Sequence, residues 1–76
     1  MKLNSLISES FNVPVDKIND DIIITGLEEW DSMSHMFFIT KLEEGFGVNL
    51  TGDEIAKMLS VRDIKRVLTE KGAKDI

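Results

Sequence analysis

The sequence predicts an all-α fold, a four-helix bundle with a long first loop and a short third helix. Three observations carry that prediction. Apolar residues recur at helical spacing in separate segments. Helix-start signatures, a Ser or Thr with an acid three residues on, stand before the last two segments, at Thr51–Glu54 and Ser60–Asp63. The one β-branched run, Ile22-Ile23-Ile24, has no partner run elsewhere, and an isolated strand is not stable.

Leu3, Leu6, Ile7 and Phe11 keep helical spacing, so residues 2–11 read as a first amphipathic helix. Asn12-Val13-Pro14 ends it, because the residue before a proline avoids the helical region. Residues 13–30 read as a packed loop with room for one helical turn. Val13, Val15, Ile18, Ile22, Ile23, Ile24 and Leu27 pin it to a core. A second helix is predicted over 32–45, stopped by Gly45-Phe46-Gly47. The Thr51 capping box opens a short third helix that runs to about Leu59. Ser60 opens the fourth, in which Val61, Ile64, Val67 and Leu68 form one apolar face, and Gly72 closes it. The expected core is Leu3, Leu6, Ile7, Phe11, Phe38, Ile39, Leu42, Phe46, Leu50, Ile55, Leu59, Ile64, Val67 and Leu68.

The 76 residues make one domain, residues 1–76, too small for a deep catalytic pocket with its supporting shell. The chain has no cysteine, which excludes disulfides, thiolate metal sites and a thiol nucleophile, and its single histidine argues against a transition-metal site. No apolar run approaches membrane-spanning length, and the start lacks a signal-peptide apolar region, so a cytoplasmic protein is expected with no membrane partner. Charge is uneven. Residues 1–56 hold three basic and eleven acidic residues, net −8, whereas residues 57–76 hold six basic and three acidic, net +3. The acidic front argues against nucleic acid, whose binding needs clustered Lys and Arg, and favours basic protein partners.

The second helix is apolar on two sides. His35, Phe38, Ile39, Leu42 and Phe46 make a core stripe, while Met33, Met36, Phe37 and Thr40 fall nearly opposite. A surface helix of a small bundle needs only one such stripe. Either the first loop covers the second stripe, or it is a docking face for a partner, with methionine supplying adaptable contact.

Ser32 and His35 stand three apart, the spacing that makes a nucleophile and a base neighbours on a helix. Acyl chemistry also needs a group to orient the base, an oxyanion hole and a dry pocket, and the chain has no room for these. Asp16, Asn19, Asp20 and Asp21 fail the calcium-loop pattern, with Ile18, Asp21 and Leu27 at its third, sixth and twelfth positions. No metal site is expected. Ser32 is then either a helix cap, a duty Asp31 could share, or a point of covalent attachment. Attachment needs no base in this chain, and the anion of a phosphate ester is favoured at a helix N-terminus.

The stretch "WDSMSHMFFITKLEEGFGVNL", with "INDD" before it and "TGDEI" and "LSVRDIKRVL" after it, resembles the acyl carrier proteins over nearly the whole chain. Their hallmark is Asp-Ser-Leu at the start of the second of four helices. The resemblance implies a carrier and not an enzyme. It implies that a phosphopantetheinyl transferase moves 4′-phosphopantetheine from coenzyme A onto Ser32, with Asp31 in support. The arm's thiol then holds acyl or aminoacyl groups as thioesters. Further implied partners are an acyl-loading ligase or transferase and downstream biosynthetic enzymes. The chain itself is expected to be monomeric.

Departures from the family pattern sharpen the expectation. Met33 replaces the usual leucine, Ser34 and Phe37 stand where acids are common, and Trp30 stands where a small residue is usual. A more apolar docking face points to a specialised pathway, such as secondary-metabolite, aminoacyl or surface-glycan modification, rather than general fatty-acid synthesis. Expected partner contacts are Trp30, Met33, Met36, Phe37 and Thr40, with Glu43, Glu44 and Glu54 at the rim. The alternatives are a peptidyl or aminoacyl carrier, or a helical interaction module without the arm.

Overall fold

Leu3, Ile7 and Phe11 fall on one side of a helix, and all three are buried in the first one, α1 (Lys2–Phe11), of the computed structural model, which describes residues 2–76. Asn12 takes a left-handed backbone (φ 56°) and ends α1. The second helix, α2 (Ser32–Phe46), buries Phe38, Ile39 and Leu42. Gly47 closes it in the left-handed conformation (φ 65°), which costs glycine nothing, and donates its N–H to the Glu43 carbonyl. The helices α3 (Gly52–Lys57) and α4 (Val61–Glu70) follow, both opened by the predicted capping boxes. All four predicted helices are present, and the described residues contain no strand.

α1 and α2 run antiparallel. Phe11 at the end of α1 packs on Phe38 near the middle of α2, with ring centroids 5.3 Å apart. At the other end Lys2 donates to the Gly45 carbonyl and lies 5.2 Å from the Phe46 ring centre. A β-carbon at Gly45 would meet Leu6 at 3.4 Å and the Lys2 stem at 3.5 Å, ordinary contact distances, so the two helices approach closely here.

The long loop differs from the expectation in a way that explains the fold. It contains two 3₁₀ turns, Val15–Lys17 and Ile24–Gly26. The isoleucine run does have a partner: Ile23 forms a single antiparallel bridge with Ser60. The Ile24 N–H donates to the Leu59 carbonyl at 2.8 Å. In return the N–H groups of Val61 and Arg62 donate to the carbonyls of Ile22 and Asp20, both at 3.0 Å. A helix start has four N–H groups without partners inside the helix. In α4 the loop takes two of them, and the Ser60 hydroxyl takes a third from Asp63 at 3.1 Å. Side chains reinforce the seam, with Arg62 on Asp21 at 2.9 Å and Lys65 on Asp20 at 2.6 Å.

That seam also corrects the end of α3. The helix stops at Lys57, because Leu59 must turn its carbonyl toward Ile24. Met58 leaves the helical region (φ −88°, ψ 72°) and buries its side chain to 2% exposure, whereas Leu59, expected in the core, is 50% exposed. Val13, Ile18, Ile24 and Val61 join the core, and Leu6, Phe46, Leu50 and Ile55 pack partly buried against it. Val15 and Ile23, expected to pin the loop, are half-exposed.

The two neighbours Met58 and Leu59 should therefore respond oppositely to truncation. Met58→Ala is expected to cost about 2–3 kcal/mol in urea unfolding, and Leu59→Ala to stay within about 0.5 kcal/mol.

Candidate functional site

The chain reaches α2 through a turn closed by the Trp30 N–H on the Leu27 carbonyl at 3.1 Å. Asp31 is extended (φ −150°, ψ 173°) and its carbonyl accepts the first helical bond, from the His35 N–H at 2.9 Å. Its carboxylate accepts the Ser34 N–H at 2.6 Å. Asp31 is therefore the cap, and Ser32 is the first residue of the helix itself. The Ser34 N–H holds the Asp31 carboxyl below the usual carboxylate range, aided by the Ser34 hydroxyl and the Met33 N–H. One of the amides that a phosphate at this helix start would meet, that of Ser34, is thus already engaged, a point the sequence left open.

Ser32 has no such duty. It is exposed, and its hydroxyl makes no hydrogen bond to any described residue. His35 is turned away from nucleophile chemistry. Its Nδ1 accepts the indole N–H of Trp30 at 3.1 Å, so the neutral ring carries its proton on Nε2. Burial pushes the His35 pKa down. No carboxylate among the described residues orients the ring.

The second stripe of α2 is not covered by the loop. Met33 is 84% exposed, Met36 65% and Phe37 44%. Thr40 is exposed too, with its hydroxyl tied to the Met36 carbonyl at 3.0 Å, so its polar atom is satisfied on the helix. Lys41 lies 5.3 Å from the Phe37 ring centre and borders the stripe with a positive charge. Trp30 is partly buried against the core.

The three acids assigned to the rim divide. The Glu43 carboxylate accepts the Leu50 N–H at 2.8 Å and so clamps the loop between α2 and α3. The Glu54 carboxylate accepts the Thr51 N–H at 2.9 Å and pairs with Lys71 at 2.8 Å, which lowers its pKa. Glu44 is exposed and has no partner among the described residues. The partners of Glu43 and Glu54 are a loop amide and a lysine 17 residues on, which composition alone does not reveal. Sequence reasoning missed the Trp30–His35 bond for a related reason: the residues are five apart, outside helical neighbour spacing.

Among the described residues no group of three or more His, Cys, Asp or Glu stands close enough to hold a metal ion, and no helix is long and apolar enough to cross a membrane. Asp20 and Asp21 are committed to Lys65 and Arg62.

Comparison with known proteins gives two relatives of one kind. The chain is 30% identical over 61 residues to an acyl carrier protein of Beutenbergia cavernae, an alignment that covers 80% of this chain and 74% of that protein. It is 32% identical over 62 residues to an acyl carrier protein of Lactobacillus acidophilus, covering 82% and 78%. No protein-family model matches the chain.

The cap makes stability depend on pH in a set direction. The folded Asp31 carboxyl binds its proton less readily than the unfolded one, so its contribution is present above the unfolded value of 3.8 and is lost as pH falls through the lower folded value. Asp31→Ala is expected to lower the urea midpoint at neutral pH, and the difference from the native chain should shrink as pH falls below 3.8.

Proposed function

Because the chain belongs to the acyl carrier protein family, whose members are carriers and not enzymes, we propose that Ser32 receives a 4′-phosphopantetheine arm from coenzyme A. The observation that carries this reading is the division of labour at the start of α2. Asp31 performs the capping, and Ser32 offers an exposed hydroxyl with no internal partner. That serine fits the group: its oxygen is accessible to a transferase, and the helix dipole favours the negative charge of a phosphodiester. When bound, the arm supplies the thiol that this cysteine-free chain lacks, and acyl or aminoacyl groups are held there as thioesters. Asp31, beside the serine, is assigned a supporting role during transfer.

The residues around Ser32 present it. α2 fixes the serine at a rigid end, and the exposed Met33, Met36 and Phe37 flank it with an apolar surface. We assign that surface, with Trp30, Thr40 and Glu44, to the transferase and to the enzymes that load and unload the carrier. Glu43 and Glu54 act indirectly, by holding the α2–α3 loop and the start of α3. The exposed Met33, Met36 and Phe37 make this face of α2 apolar. This supports a dedicated carrier of a specialised pathway, working among soluble partners in the cytoplasm.

Intact mass after incubation with coenzyme A, magnesium and a broad-specificity phosphopantetheinyl transferase should rise by one phosphopantetheine unit. Ser32→Ala should show no gain. No gain on the folded native chain would set the reading aside in favour of an interaction module without the arm.

Pathway specialisation has its own test. In a reconstituted fatty-acid synthase the loaded chain should support less than about a tenth of the rate of a housekeeping carrier, the tenfold that about 1.4 kcal/mol of lost docking makes. Restoring acids with Ser34→Asp and Phe37→Glu should raise that rate. Equal support by the native chain would remove the specialised-pathway reading.

A further inference from the structure

The residues on either side of Ser32 are tied by a contact that helix formation does not require. Trp30 lies just before the cap residue, and His35 closes the first turn of α2. The indole Nε1–H donates to His35 Nδ1 at 3.1 Å, and the rings meet edge to face with centroids 6.0 Å apart and an angle of 68°. The bond closes a ring of chain over residues 30–35, and Asp31 and Ser32 lie inside it.

We propose that the Trp30–His35 hydrogen bond is a latch that positions Ser32 for modification, and that protonation of His35 opens it. The two are positioning residues, and the proposal rests on Ser32 being the attachment point. An indole N–H can only donate, and Nδ1 accepts it only through its lone pair. A second proton on the imidazole must go to Nδ1, where it faces another N–H. Two donors cannot bond, so the latch cannot survive protonation, and a partly buried indole loses its acceptor.

Among the described residues no charged group partners the imidazole, which is left to the indole. Asp31 on α2 itself is committed to the Ser34 N–H. Glu28 and Glu29 on the loop that carries Trp30, and Glu9 on α1, are exposed. On α4, Arg62 and Lys65 are held by Asp21 and Asp20, and Lys71 pairs with Glu54. Lys41, further along α2, lies over Phe37. Burial pushes the His35 pKa below 6.5. The latch is therefore fully closed above that unfolded value and opens as pH falls through the lower folded one.

The test follows the native chain, His35→Asn and Trp30→Phe between about pH 5 and pH 8, where histidine titrates. The asparagine amide oxygen stands near the place of Nδ1 and accepts without titrating. Phenylalanine keeps the ring and removes the donor. Two quantities are read by NMR and mass: the protection factor of the Ser34 amide, and the rate of Ser32 modification relative to His35→Asn, which cancels the transferase's own pH response.

With the latch, native protection and relative rate fall together at low pH by about fivefold, the factor of one ordinary hydrogen bond. Their midpoint matches that of the His35 ring resonances. Trp30→Phe shows the low values at every pH. Identical pH responses in all three chains, with Ser32 modified normally, would overturn the latch. Absence of modification in every chain at every pH would instead remove the attachment reading, and the Ser34 protection profile would still decide whether the latch exists.

Discussion

The start of α4 is where the architecture is decided. A helix cannot begin without partners for its first N–H groups, and here a distant loop supplies two of them through the carbonyls of Ile22 and Asp20. The same contact fixes the loop. Stretches longer than about 12–15 residues without regular structure are uncommon in compact domains. This one is held by three backbone bonds, two ion pairs and the buried side chains of Val13, Ile18 and Ile24. With residues 20–24 seated against 59–62, the rest of the loop has only a short way to go before α2, so Trp30, Asp31 and Ser32 arrive in a set place. The geometry at the candidate site is thus settled partly by a seam around another helix.

The uneven charge of the sequence has the same origin. Its basic tail forms three ion pairs with acids of residues 1–56, Arg62 with Asp21, Lys65 with Asp20 and Lys71 with Glu54. Those acids belong to the loop and to α3, so the tail neutralises part of the acidic front. Glu28, Glu29 and Glu44 remain exposed and outside these pairs. The surface of the acidic front is accordingly less acidic than residues 1–56 suggest, and the apolar stripe of α2 stands out more against it.

Local chemistry was readable and distant pairing was not. Capping boxes at Thr51 and Ser60, the apolar spacing of Leu3, Ile7 and Phe11, and the glycine after α2 each act within a few residues. They placed the helices closely. The end of α3 was misplaced by two residues because Met58 and Leu59 are both apolar, and only the partner of the Leu59 carbonyl decides between them. The isoleucine run seemed alone because its partner segment was absorbed into the neighbouring helices. At the site, the pattern around Asp31 and Ser32 was visible in the sequence. Which of the two caps the helix was not, since both side chains can do so and only the bond to Ser34 distinguishes them.

Trp30 is the only tryptophan in the chain, and there is no tyrosine. Excitation at the red edge of protein absorbance therefore reaches a single indole, two residues before Ser32, half-sheltered and bonded to a titratable ring. The emission of the unlabelled molecule is a built-in optical gauge of this one corner. Anything that changes the packing there, whether a covalent addition, a bound enzyme or a proton, is written into its wavelength and lifetime with no background from elsewhere in the chain.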